Sequence, residues 1–139
     1  MSNLVLTGLG ASPWSLRGAT QTLEHVEAAT QLRRTVNGSL IDISATQLRK
    51  YKSLITGSDQ LPPAFDSKWP GMLVTVDCST ELSYLTGGSA GRPVVSGSSR
   101  VDGAYTFYRP QLTMRIVNFQ STHDEYAAKT AWTLELEEV

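Results

Sequence analysis

The sequence predicts an all-β protein, a single-domain β-sandwich or barrel with one short helix and one long Gly/Ser-rich loop, on three observations. Apolar side chains recur at every second position in three separate runs, the mark of strands with one buried face. Short β-prone segments are separated by turn signals, not by the roughly 10–15-residue helical stretches that a parallel sheet needs. The 139 residues, 40% of them apolar, suffice for one core.

Taken in order, Leu4 to Leu9 and Gly18 to Glu27 read as strands. Leu32 to Ile43 places Asn37-Gly38 between two β-prone runs, which predicts a hairpin with a type I′ turn. Ser44-Ala-Thr-Gln47 is a capping box and predicts a short helix ending near Tyr51. A strand from Lys52 to Thr56 is closed by Gly57-Ser58-Asp59, and Leu61-Pro62-Pro63-Ala64-Phe65 is irregular because two prolines remove donors.

After the Trp69-Pro70-Gly71 turn, Met72, Val74, Val76, Cys78, Leu82 and Tyr84 alternate with polar residues, with a bend near Thr80. From Ala104 to Phe119 the alternation returns through Leu112, Met114 and Ile116, with Pro110 at an edge or a bend. Ala131 to Val139 alternates Trp132, Leu134 and Leu136 against Thr133, Glu135 and Glu137. Seven or eight strands result, with Val74, Val76, Leu112, Met114, Ile116, Trp132, Leu134 and Leu136 as the core and with Trp69 and Trp132 as its aromatic anchors.

The segment from Thr86 to Gly103 is the long loop, residues 86–103, and has too little apolar surface to order itself by packing. Composition excludes several functions. Only 18% of residues are charged and the formal net charge is −1, so there is no basic footprint for nucleic acid and no sequence-specific nucleic-acid partner is expected. The longest apolar runs fall far short of about 20 residues, so no membrane partner is expected either. The N-terminus does not read as a secretory signal, and the single cysteine cannot form an internal disulfide and fits folding in a reducing compartment.

No catalytic, cofactor-binding or metal-ligating set emerges. His25 and His123 have no second ligand at metal spacing, and His123-Asp124-Glu125 has no serine elbow to serve. Thr86-Gly-Gly-Ser-Ala-Gly-Arg92 resembles a phosphate loop but lacks the Lys-Ser/Thr and a following helix. Cys78 falls on the inferred core face as an inert thiol, and Asp42, Asp59, Asp66, Asp77 and Glu81 are scattered. Open strand edges, a long Gly/Ser loop and a surface low in charge are assets for a subunit that joins others.

The runs Leu32 to Ile43, Ser58 to Gly71, Val74-Thr-Val-Asp-Cys78, Gly91-Arg-Pro-Val-Val-Ser-Gly97, Tyr108-Arg-Pro110 and Trp132-Thr-Leu-Glu-Leu-Glu-Glu138 resemble small structural proteins of tailed bacteriophages. Arg17-Gly18-Ala19-Thr20-Gln21-Thr22-Leu23 is a weaker match. The resemblance implies a non-enzymatic virion protein of the viral tail: a component of the tail tube, the head-tail connector or the baseplate. It would be made in the host bacterial cytoplasm and assembled as a cyclic homo-oligomer beside other phage virion proteins.

Two segments are then expected at interfaces. One is the long loop through Gly87, Gly88, Arg92, Pro93, Val94, Val95 and Arg100; the other is the Leu61 to Trp69 stretch through Pro62, Pro63 and Phe65. Deleting Gly88 to Ser99 is expected to leave a folded monomer that does not assemble. Competing readings are a capsid decoration protein and a β-barrel ligand-binding module or enzyme with its pocket near Asp66, Asp77 or His123.

Overall fold

The computed structural model describes residues 4–7, 16, 18–26, 31–43, 47, 49–62 and 64–139. Strands make up 57% and helix 1%, so the chain is all-β, with a curled half-barrel sheet as its centre. The strands are β1 (Val5–Thr7), β2 (Thr20–His25), β3 (Leu32–Arg34), β4 (Leu40–Asp42), β5 (Tyr51–Asp59), β6 (Leu73–Asp77), β7 (Leu82–Leu85), β8 (Arg100–Asp102), β9 (Tyr105–Tyr108), β10 (Gln111–Asp124) and β11 (Lys129–Glu138). Six form an antiparallel sheet in the order β1-β6-β10-β11-β5-β2, three form a sheet β7-β9-β8, and β3 and β4 pair alone.

The alternating residues do what their period requires. Val74, Val76, Leu112, Met114, Ile116, Trp132, Leu134 and Leu136 are all at most 2% exposed and line one face of the large sheet. Leu6 from β1, Leu4 just before it and Ile55 from β5 join the same core. The curl is fixed by Gln21 of the edge strand β2. Its Oε1 accepts the Ser79 N–H at 2.8 Å and its Nε2 donates to Ser53 Oγ at 3.1 Å, so one amide ties β2 to the residues just beyond β6, on the far side of the sheet.

The long alternating run ending at Tyr84 divides at Ser79-Thr80, the bend expected from sequence, and its second half enters the small sheet as β7. The run from Ala104 divides likewise at Arg109-Pro110, because proline has no N–H for a ladder. These two corners bond to each other: Cys78 N–H donates to the Pro110 carbonyl at 3.1 Å. The two divisions and β8 account for the strands beyond the expected seven or eight.

Three local expectations are corrected. Strand β5 does not stop at Gly57 but runs through it to Asp59, because Trp132 lies directly opposite and its indole fills the space where a side chain would stand. The Leu32 to Ile43 hairpin forms, but its turn is not type I′. Gly38 N–H donates to Thr35 O at 2.9 Å and Thr35 N–H to Ser39 O at 2.8 Å, with Gly38 at φ +82°, which is a three-residue loop built on a type I turn with glycine in the left-handed position. Trp69 is 70% exposed and is no core anchor, since Pro70-Gly71 turns the chain outward there; Phe65 takes the aromatic place beside Trp132. The capping box at Ser44-Ala-Thr46 lies outside the described residues, and Tyr51, the expected helix end, begins β5.

Candidate interaction surface

The 86–103 segment is held by the chain's own atoms, contrary to the expectation that it cannot order itself. Gly87, at φ +100°, and Gly88 make the exposed turn after β7, with Gly88 N–H donating to Leu85 O at 2.9 Å. Val94 bridges Pro110, while Val95 N–H donates to Arg109 O at 2.9 Å and Gln111 N–H to Pro93 O at 2.8 Å. Ser98 Oγ donates to Val95 O at 2.6 Å and accepts from Arg109 N–H at 3.2 Å. Backbone hydrogen bonds and one serine therefore replace the apolar packing that the composition lacks.

Arg92 is the tether. Its Nε lies 2.8 Å from Glu138 Oε1 in an ion pair 25% and 11% exposed, although that N–H is not aligned for a hydrogen bond. Its guanidinium donates to Arg49 O at 2.9 Å and stands over the Tyr51 ring at 5.3 Å, while Tyr51 N–H donates to Glu138 Oε2 at 3.0 Å. Arg92→Ala leaves a largely buried carboxylate without its cation and is expected to cost about 2–3 kcal/mol in a denaturation experiment. A cost below about 0.5 kcal/mol would mean that the segment is not anchored this way. The Gly88 to Ser99 deletion removes the same tether, so it is not the clean assembly variant that the sequence suggests.

Arg100 sits on β8 of the small sheet, paired with Glu81 at 3.3 Å and stacked on Phe107 at 4.5 Å. In the second expected segment, Phe65 is 4% exposed and packs edge-on against Phe119 and Trp132 at 5.1 and 5.7 Å, so most of its ring belongs to the core, although it also lines the cleft beside Trp69. Pro62 is exposed, and Pro63 lies outside the described residues. Pro62, Trp69, Pro70 and Phe119 border an open cleft of about 570 Å³. The expected interface residues thus divide among the small sheet, the tethered strap and this cleft.

The most exposed apolar surface lies elsewhere, on the β3–β4 hairpin. Leu32, Val36, Leu40, Ile41 and Ile43 are 51%, 106%, 54%, 44% and 56% exposed. Among the described residues its strands pair with each other and with no other strand; Asp42 to Arg49, at 3.8 Å, is an ion pair at its base. Sequence reasoning found this hairpin but not its role. The signal was present: Leu40 and Ile41 are adjacent, so both faces carry apolar side chains and neither is a wet face.

The residues considered for chemistry are not brought together. Asp77 accepts from Gln111 Nε2 at 2.8 Å at the start of β10, and His123 meets Thr130 Oγ1 at 3.1 Å near its end, on the order of 40 Å away along an extended strand. Asp66 lines the cleft beside Trp69. Among the described residues no three His, Cys, Asp or Glu side chains could share a metal ion, and no helix is long and apolar enough to cross a membrane.

Cys78 is fully buried beneath the sheet corner, and burial pushes its thiol up from 9.0 to about 11, with the Asp77 and Glu138 charges adding and the Gln21 hydrogen bond opposing. A raised folded-state value means that the native state holds the proton more tightly, so this contribution is complete below pH 9 and is lost as the pH rises towards 11. Stability is expected to fall by about 2–3 kcal/mol across that window, with a smaller fall in Cys78→Ala. Equal pH slopes for the two chains would refute the assignment.

Against this geometry, no known protein family, curated protein or solved structure matches the chain.

Proposed function

We propose that the protein is a non-enzymatic structural subunit of a bacteriophage tail or baseplate, which joins copies of itself in a ring and other virion proteins above or below it. The observation that carries the reading is the β3–β4 hairpin, an arm that pairs with no other strand among the described residues and leaves five large apolar side chains at least 44% exposed, Ile41 being the least. A lone two-stranded hairpin is marginal in water, and exposed apolar surface of this kind marks a contact. The resemblance of the sequence to tailed-phage structural proteins supplies the setting.

Covering five roughly half-exposed apolar side chains contributes on the order of 5 kcal/mol, before the cost of association. One such contact gives a weak pair. Each subunit of a closed ring makes two, once through its arm and once through the surface that receives a neighbour's arm, so closure is what makes the assembly stable.

The test is to locate the chain in purified particles with a gold label on its C-terminus. Label at the tail or baseplate is the expected result. Label at capsomer junctions would establish a decoration protein in its place, and particles without the chain would refute a virion role.

A further inference from the structure

We infer that the arm of one subunit docks on the outer face of the large sheet of the next, with Arg33 set between Glu135 and Glu137 and with Ile41 and Ile43 covering Leu54 and Val117. The inference rests on the self-assembly reading above and names the two surfaces that would meet.

The arm has two distinct faces. Arg33 and Ile41 are directly opposite in register, so they share a face, and Ile43, two residues on, belongs to it as well. Arg34 points to the other face and is occupied, donating to Gly38 O at 3.0 Å. Arg33 is exposed and has no ionic or hydrogen-bonding partner among the described residues. The first face therefore presents one unpaired cation beside two isoleucines that are 44% and 56% exposed.

The receiving surface has the opposite pattern. Trp132, Leu134 and Leu136 point inward, so Glu135 and Glu137 point outward from β11. Across the ladder Glu135 faces Leu54 of β5, and on its other side the register of β10 shifts between Ile116 and Asn118, leaving Val117 as the extra residue of a bulge. Val117 follows inward-facing Ile116 and lies on the wet face, and the bulge re-aims Asn118 to that face beside it. Leu54 and Val117 are 37% and 41% exposed and flank the two carboxylates around a depression of about 180 Å³. Glu24, which also borders it, is paired with Lys52 at 3.5 Å. Glu135 and Glu137 make no ion pair or hydrogen bond among the described residues, although Lys52 of β5 and Arg115 of β10 stand across the ladder from Glu137.

An apolar pair with one unpaired cation therefore faces an apolar pair in a depression with an excess of carboxylates, Glu24, Glu135 and Glu137 against Lys52, and both surfaces are present on every copy. The match is not self-complementary, since the arm and the sheet face are different surfaces, so repeating it generates a head-to-tail ring. The Trp69 cleft is a further open apolar feature, but it offers Arg33 one carboxylate, Asp66, with Lys68 beside it, whereas the β11 depression offers three carboxylates and one lysine. Complementary charge across such a contact sets register and excludes wrong pairings.

Charge reversal tests this. Arg33→Glu alone, and Glu135→Arg with Glu137→Arg alone, are each expected to raise the concentration for half-assembly at least about tenfold; all three reversals in one chain should restore it to within about threefold of wild type. Arg33 is exposed, so its reversal should leave melting unchanged, whereas Glu137→Arg falls between Lys52 and Arg115, so the chain with both glutamates reversed should melt a few degrees lower but remain folded at the assay temperature. As a second readout, Ile41→Cys with Val117→Cys should give intermolecular disulfides on oxidation, with buried Cys78 silent. If Arg33→Glu blocks assembly while the Glu135/Glu137 chain assembles normally and the cysteines do not cross-link, the arm docks elsewhere and this inference falls while the ring reading stands. A wild-type chain that never self-assembles overturns both.

Discussion

Val36→Asp combined with Ile41→Asp is expected to abolish assembly and leave the fold intact. Val36 is 106% exposed and Ile41 44% exposed, on a hairpin that pairs with no other strand among the described residues. Surface changes of this kind shift stability by about 0.5 kcal/mol or less each, so the melting temperature should move by no more than a few degrees. At a contact with another copy, each aspartate would lie in a site shaped for an aliphatic chain, at a cost of several kcal/mol for burying an unpaired charge. Two such costs exceed the whole contribution of the arm. Light scattering after size exclusion should give a monomer for the variant where the wild type gives an oligomer. Unchanged assembly would remove the arm from the interface, and a large loss of thermal stability would mean that it belongs to the subunit core.

The second large effect is on folding. Gly57→Ala places a methyl carbon 2.7 Å from Cζ2 and 2.8 Å from Cε2 of Trp132, closer than carbon atoms pack. The indole cannot simply retreat, because Phe65 stands edge-on against it at 5.7 Å and Trp132 itself is 2% exposed. Overpacking a core at this distance costs about 3 kcal/mol. Urea denaturation should therefore show a lower midpoint with an unchanged slope, together with a shift in tryptophan emission. A midpoint equal to that of the wild type would mean that the sheet yields at this position and that Gly57 is not a seat for the indole.

These two variants also mark where the sequence is readable and where it is not. Periodicity identifies the large sheet because its inner face is buried over many residues, so Val74, Val76, Leu112, Met114, Ile116, Trp132, Leu134 and Leu136 each confirm the next. A glycine carries no such redundancy. Gly57 looks like a strand end, and only the Trp132 partner, 75 positions along the chain, explains it as a strand interior. Trp69 misleads for a related reason: an aromatic side chain suggests burial, while the adjacent Pro70-Gly71 turn decides its direction.

The candidate surface was half legible. The Arg92 to Val95 segment draws attention by its composition, yet its ordering comes from backbone carbonyls and from Glu138, neither of which a composition count registers. The arm was visible as a hairpin, and its missing polar face, with Leu40 beside Ile41, was the sign that it has no interior to turn to. The alternation through Leu112, Met114 and Ile116 already puts Val117 on the wet face; what it could not show is the bulge that sets Asn118 on that face too, opposite Glu135, because an extra residue leaves no mark in the period before it.

The most direct test of the account is the mass distribution of the purified wild-type chain across a concentration series, read by mass photometry and sedimentation velocity. A structural ring subunit should give one dominant closed oligomer that forms cooperatively from monomer and is absent in the Val36→Asp/Ile41→Asp chain. A monomer that persists at tens of micromolar, with the five apolar side chains of the arm in water, would contradict it.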